Sequence, residues 1–72
     1  MNIVYDPHTD TLVIEFSQAP VEESDEDKPG VILDYDASGN LVGMEILDAS
    51  KRVRDVNEVR FRIADALPQA SK

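Results

Sequence analysis

The chain has no cysteine and no tryptophan, and only one histidine among its 72 residues. Without cysteine, neither a disulfide nor a thiolate metal site can stabilise the fold, and no thiol nucleophile is available. The single histidine, His8, lies in a predicted turn. No serine occupies a nucleophile-elbow motif, and there is no glycine-rich phosphate loop. We therefore expect no catalytic residues and no cofactor, and we favour a non-enzymatic protein.

Basic residues are also scarce, since 7 Lys and Arg stand against 15 Asp and Glu, for a net charge of −8. This excess of negative charge argues against nonspecific binding to nucleic acid or to an anionic membrane. No apolar run is long enough to span a bilayer, and the first residues lack the basic and apolar regions of a signal peptide. We expect a cytoplasmic protein with neither a membrane nor nucleic acid as partner.

The first half of the chain shows the alternation of a β-hairpin. Two β-prone stretches, Asn2 to Asp6 and Thr11 to Ser17, flank a turn that contains Pro7. Proline fixes the backbone angle that the first central position of a type I turn requires. Pairing Asp6 with Thr11 forms one apolar face, because side chains alternate along a strand. This face aligns Met1, Ile3 and Tyr5 with Phe16, Ile14 and Leu12.

A second hairpin is predicted between Pro29 and Ser50, with Ser38 and Gly39 at the centre of its turn. Its apolar face aligns Val31, Leu33 and Tyr35 with Ile46, Met44 and Val42. A shift of one residue would mix apolar and polar positions, so the pattern specifies its own register. Two such hairpins predict an α+β protein, mainly antiparallel β, in which both hairpins form one sheet with one buried face.

The same stretch also has the spacing of a calcium-binding EF-hand loop. The oxygen ligands would be Asp34, Asp36, Ser38, Asn40 and Glu45. An EF-hand loop functions between two helices, whereas the residues before it are typical of a strand, so we predict the hairpin and keep calcium as a minor alternative. A second alternative is a ligand-binding or enzymatic domain that uses Asp34, Asp36 and Glu45 as paired carboxylates, together with Tyr35 and Asp48.

An acidic segment joins the two hairpins, from Gln18 to Lys28. Its carboxylates are Glu22, Glu23, Asp25, Glu26 and Asp27. Such a run is typical of a solvated loop or of a strand edge that resists pairing. It is also our candidate binding surface for a small basic protein.

The C-terminal third is predicted to form a short helix near 49–56, capped by Asp48 or Ser50, and a fifth strand near 58–63. A single longer helix is the alternative, because several valines also follow helical spacing. We expect one domain over residues 1–63 and a frayed tail over 64–72. One short helix cannot cover the sheet, which predicts a homodimer or another protein partner.

Several motifs together resemble a small prokaryotic family known as domain of unknown function 2283. The matching positions are Tyr5-Asp6, Phe16-Ser17, Val31 to Asp36, Gly39, Leu41 to Leu47 and Ala49-Ser50. The resemblance covers about residues 1 to 53. It implies no activity, since none is established for the family. Some relatives lie beside small toxin-like genes, and this association implies an antitoxin-like role as the partner of a small basic protein.

Overall fold

A computed structural model describes residues 1–65 of the chain, which form one antiparallel sheet and one short helix. The elements are β1 (Asn2–Asp6), β2 (Thr11–Glu15), β3 (Glu23–Lys28), β4 (Val31–Tyr35), β5 (Leu41–Leu47) and α1 (Ala49–Arg52). The strands lie in the order β1-β2-β5-β4-β3, so the two predicted hairpins meet where β2 pairs with β5. Strands β1 and β3 are the two edges of the sheet.

The first hairpin has the predicted register. Asp6 pairs with Thr11, and Ile3 and Tyr5 pair with Ile14 and Leu12. The backbone N–H of His8 donates to the Asp6 carboxylate at 2.9 Å, which closes the turn after the strand. The register prediction for this hairpin is confirmed.

The second hairpin is confirmed at one end and shifted at the other. Leu33 pairs with Met44 as predicted, but Tyr35 pairs with Leu41 instead of Val42 because a bulge interrupts β5. The turn also differs, since the N–H of Gly39 donates to the Asp36 carbonyl at 3.0 Å. Its centre is therefore one residue earlier than predicted, and Gly39 follows that centre with a positive φ of 85°.

The fifth strand is not where the sequence pattern placed it. It is β3, built from the acidic segment, whereas residues 58–63 form no strand. An edge strand needs only one paired side, and all of the residues of β3 are exposed, so its charges remain in water. Gly30, with a positive φ of 84°, allows the tight turn from β3 into β4.

The helix is shorter than predicted, because α1 ends where Val53 adopts an extended backbone conformation. Asp48 is the N-cap residue of α1. Its backbone is left-handed, and its side chain makes no capping hydrogen bond. The prediction of one short helix is confirmed, and the alternative of a single longer helix is wrong. Of the predicted frayed tail, residues 66–72 lie outside the described residues.

The apolar residues do not form a closed core. Within residues 1–65 only Val42 and Ala49 are buried hydrophobic residues. Strand register places the remaining large apolar side chains mostly on one side of the sheet, which we call the open face. The open face consists of Ile3, Tyr5, Leu12, Ile14, Val31, Leu33, Met44 and Ile46. Each of these eight residues is at least partly exposed.

Candidate functional site

The acidic residues predicted to bind a basic partner lie along one edge of the sheet. Glu23, Asp25, Glu26 and Asp27 belong to β3, and the N–H of Glu22, just before it, donates to the Tyr35 carbonyl at 2.7 Å. β3 pairs only with β4, so its outer side faces solvent within residues 1–65. The structure thus brings the five carboxylates together on one exposed edge.

Strand alternation divides these carboxylates between the two faces of the sheet. Asp25 pairs with Leu33 and Glu23 with Tyr35, which places Asp25 beside the apolar side chains of the open face. Glu26 pairs with Ile32 on the other side of the sheet, and its carboxylate accepts a hydrogen bond from the N–H of Gly30 at 2.8 Å. The open face therefore has an acidic margin along β3.

The face opposite the open face contains a pair of carboxyl groups. Asp34 and Glu45 lie on neighbouring strands, and Asp34 is only 6% exposed. The hydroxyl of Ser24, on β3, donates to Asp34 Oδ1 at 2.6 Å. Burial raises the pKa of Glu45, and hydrogen bonding and charge repulsion with Asp34 raise that pKa further. Glu45 therefore keeps its proton to a higher pH than an exposed glutamate does.

A small cleft adjoins this pair. The segment between β2 and β3 forms one wall of the cleft, which has a volume of about 250 Å³ and is lined by Asp34, Glu45 and Glu15 among others. Gly43 lies beside Asp34, and a Cβ at this position would approach the Ile14 carbonyl at 3.0 Å and Asp34 Oδ2 at 3.6 Å. The glycine is therefore required mainly by the close approach of the β2 backbone, while contact with Asp34 at 3.6 Å would be ordinary.

The positions of the calcium-loop pattern do not converge on one point. Both carboxylate oxygens of Asp36 serve its own turn, since Oδ1 accepts from the N–H groups of Ser38 and Asn40 at 2.9 Å each, and Oδ2 accepts from the Asn40 side chain. These hydrogen bonds, that from the Asn40 backbone first, hold the pKa of Asp36 below its ordinary value. Strands flank the loop in place of helices. Among residues 1–65, no group of three or more His, Cys, Asp and Glu side chains is arranged to hold a metal ion.

Sequence reasoning missed a polar cluster at the end of the sheet. The Tyr5 hydroxyl donates to Asp10 Oδ1 at 2.7 Å, and the Ser50 hydroxyl donates to Asp10 Oδ2 at 2.7 Å. These two hydrogen bonds hold the pKa of Asp10 below its ordinary value. The cluster fixes α1 to the turn between β1 and β2, because the N–H of Ala49 also donates to the Asp10 carbonyl. Asp10 and Ser50 are 40 residues apart, so no local motif indicates the cluster.

The basic residues near the C-terminus occupy separate places. Arg52 donates to the Pro29 carbonyl at 2.6 Å and so contacts the turn between β3 and β4. Arg60 forms an exposed ion pair with Glu58 at 3.3 Å. Phe61, between Arg60 and Arg62, lines a shallow groove with Met1 and Ile3 at the β1 edge. Charge is thus distributed unevenly, with carboxylates along β3 and with Arg60 and Arg62 on either side of Phe61 near the β1 edge.

No helix within residues 1–65 is long and apolar enough to cross a membrane.

These features define a small protein built on one antiparallel sheet with an apolar open face and an acidic edge. A family model for proteins of unknown function, DUF2283, matches residues 2–50, which is more than half of the chain. The chain therefore belongs to this family, as its motifs predicted. Comparisons with curated proteins and with solved structures found no match.

Proposed function

We propose that this chain is a non-enzymatic protein-interaction module. The observation that carries the proposal is the absence of a closed core, since only two hydrophobic residues are buried within residues 1–65. A chain of this size has little apolar surface to spare for its own stability, and partly exposed apolar faces of small domains are typical of protein-binding surfaces. A partner that covers the open face would complete the core that the chain lacks.

The acidic edge supports a partner of basic character. The outer side of β3 pairs with no other strand of the described chain, and exposed strand edges accept an added strand from another protein. The carboxylates along β3 would attract Lys and Arg side chains and repel acidic ones. We infer a small basic protein as the partner of this edge, for which an antitoxin-like role is one instance.

Affinity purification from the native host tests this inference with matched variants. We expect a basic protein to co-purify with the wild type and to dissociate as salt concentration rises, because exposed charges are screened. The variant Asp25→Lys/Asp27→Lys should lose the co-purifying basic protein. The control Asp55→Lys/Glu58→Lys makes the same change of charge away from β3 and should retain that protein. The complex must then reform from the two purified proteins. Equal retention by both variants, or failure to reform, would refute a role for the acidic edge.

A second candidate function is the binding of a small cationic ligand in the cleft beside Asp34 and Glu45. The favouring observation is a buried carboxylate next to a second carboxyl group whose pKa is raised. The cleft, at about 250 Å³, is smaller than most ligand sites, and Asp36 does not contribute to it. Titration with alkylamines, followed by NMR, should shift the Gly43 amide in the wild type but not in Glu45→Gln. No shift in the wild type would eliminate this candidate.

A further inference from the structure

The open face has opposite charges at its two margins. Along β3, the carboxylates of Glu23 and Asp25 belong to this side of the sheet, because their pairing partners are Tyr35 and Leu33. At the β1 margin, Phe61 lines a groove with Met1 and Ile3 and is 76% exposed. Its neighbours in the chain, Arg60 and Arg62, are exposed as well. The apolar surface therefore lies between an acidic strand and a basic segment.

We propose that a second copy of this chain occupies the open face, related to the first by a two-fold axis parallel to the strands. In this arrangement the acidic strand β3 of each copy lies over the β1 margin of the other, close to Arg60 and Arg62. The proposal rests on the proposed function, since it names the partner of the same open face. It leaves the outer side of β3 available to a basic strand.

Charge selects this axis over the other simple two-fold arrangement. A two-fold axis parallel to the strands reverses the strand order of the second sheet, so β3 of one copy faces β1 of the other. An axis perpendicular to the strands but in the plane of the interface would place β3 over β3. The carboxylates of two exposed acidic strands would then oppose each other, which disfavours assembly. Only the first axis sets Glu23 and Asp25 against arginines.

The area of the face fits a reversible dimer. Five strands at about 4.8 Å spacing, each with about five residues rising 3.3 Å, have a footprint of roughly 400 Å² per copy. Exposed Met1, Phe16 and Phe61 at the margins enlarge it. The two strand footprints together give about 800 Å², below the lower limit of about 1,200 Å² for specific interfaces, and the margin residues reduce this difference. We therefore expect dissociation in the micromolar range.

Charge-reversal variants test both the dimer and its axis by sedimentation velocity across the micromolar range. Glu23→Arg/Asp25→Arg should weaken self-association about fivefold or more, and so should Arg60→Asp/Arg62→Asp, because each sets like charges against each other. Mixing these two variants should restore association, because both contacts of the mixed dimer are attractive. In one contact the arginines introduced on β3 face the aspartates introduced at positions 60 and 62. In the other contact both sides keep their wild-type charges. The control Glu22→Arg/Glu26→Arg has the same charge change, but Glu26 lies on the other side of β3, and it should associate like the wild type.

Each outcome decides between the alternatives. A wild type that stays monomeric at all concentrations refutes the second copy as occupant. A dimer that the mixed variants do not restore refutes the axis. Circular dichroism would check that each variant is folded, and restored association on mixing would be independent evidence of folding. The dimer can fail while the proposed function holds. If the wild type is monomeric and Ile14→Asn abolishes capture of the native-host partner, the open face binds a different protein and only the dimer is wrong.

Discussion

Replacement of Asp34 by asparagine should stabilise this protein at neutral pH. Asp34 is buried, accepts a hydrogen bond from Ser24 at 2.6 Å and lies against Glu45, whose pKa is raised. The change Asp34→Asn keeps the side-chain shape and an oxygen that accepts from Ser24. The new amide can in addition donate to the Glu45 carboxylate. The substitution thus removes a like-charge contact without removing a hydrogen bond.

The expected gain follows from the energy of that contact. At neutral pH the wild type has two options. Glu45 stays protonated above its ordinary pKa, which costs about 1.4 kcal/mol for each pH unit of the difference, or Glu45 and Asp34 are both negatively charged. A hydrogen bond to a charged group contributes about 1.5–3 kcal/mol, part of which the wild type already has whenever Glu45 is protonated beside Asp34. We expect Asp34→Asn to gain roughly 1–2 kcal/mol in the free energy of unfolding. In a domain of this size, each kcal/mol raises the melting temperature by about 4–8 °C.

The pH dependence gives the sharper test. A carboxyl group whose folded-state pKa is raised binds more protons in the folded protein than in the unfolded chain. Its contribution to stability is complete below the unfolded value of 4.5 for Glu45 and declines as pH rises through the folded-state pKa. Asp10 and Asp36 act in the opposite direction, since their lowered pKa values remove stability as pH falls below 3.8. The wild type should be most stable in mild acid, and Asp34→Asn should lose the decline toward neutral pH.

Urea unfolding followed by far-ultraviolet circular dichroism, at fixed protein concentration and across pH, measures both effects. Asp55→Asn is the matched control, because it makes the same chemical change at an exposed position and should leave stability and its pH dependence unchanged. Asp34→Ala should gain less than Asp34→Asn, since it also removes the like-charge contact with Glu45 but leaves the Ser24 hydroxyl without its acceptor. If Asp34→Asn is destabilised at neutral pH, or keeps the wild-type pH slope, the inference that Asp34 raises the pKa of Glu45 is wrong.

Three further predictions concern turns, metal and the Asp10 cluster. Gly39→Ala should cost about 1–2 kcal/mol, because the glycine has a positive φ. Gly30→Ala should cost about 1 kcal/mol more, since its Cβ would also displace the Arg52 guanidinium from the Pro29 carbonyl. Equal urea midpoints for the two variants would contradict this. Millimolar calcium should leave the melting temperature unchanged, and a calorimetric micromolar constant that disappears in Glu45→Gln would reverse that view. Asp10→Asn should reduce the loss of stability in acid; an unchanged acid limb would mean that Asp10 is not one of its causes.

Alternation along the strands predicted most of the sheet. In the first hairpin, the apolar pairs within the strands have their predicted partners, because the period of two leaves only one register that keeps polar residues apart from apolar ones. In the second hairpin the same rule holds from Val31 to Asp34 and fails at Tyr35. The bulge opposite Tyr35 adds one residue to β5, and alternation contains no information on where such an addition occurs.

The acidic strand β3 shows why the remaining strand was placed wrongly. Apolar alternation favoured Val59, Phe61 and Ile63, which are exposed and form no strand. The residues of β3 have no such alternation, since their side chains are all exposed and their strand is held by backbone pairing with β4. Alternation of apolar and polar residues arises because one face of a strand is buried. A fully exposed edge strand has no buried face, so its sequence lacks this alternation.

The carboxylates near the cleft show a similar limit. The sequence names Asp34, Asp36 and Glu45 together as possible paired carboxylates, but alternation contains no information on which of them is buried. The burial of Asp34 depends on Ser24 of β3 and on the segment between β2 and β3, which no local pattern places over it. Asp36 was grouped with them by spacing, although its carboxylate closes a turn.

The distribution of charge also restricts how the sheet can associate. Strand-to-strand pairing through two β3 edges would align carboxylates on carboxylates, so this edge resists self-addition while remaining open to a basic strand. The open face has no such barrier in its centre, where the side chains are apolar, and only its β3 margin is acidic. The proposed dimer would therefore use the face, and the proposed basic partner would use the edge. Because the two surfaces meet along β3, a basic protein bound there would compete with Arg60 and Arg62 of a second copy for Asp25, and partner binding should weaken the dimer.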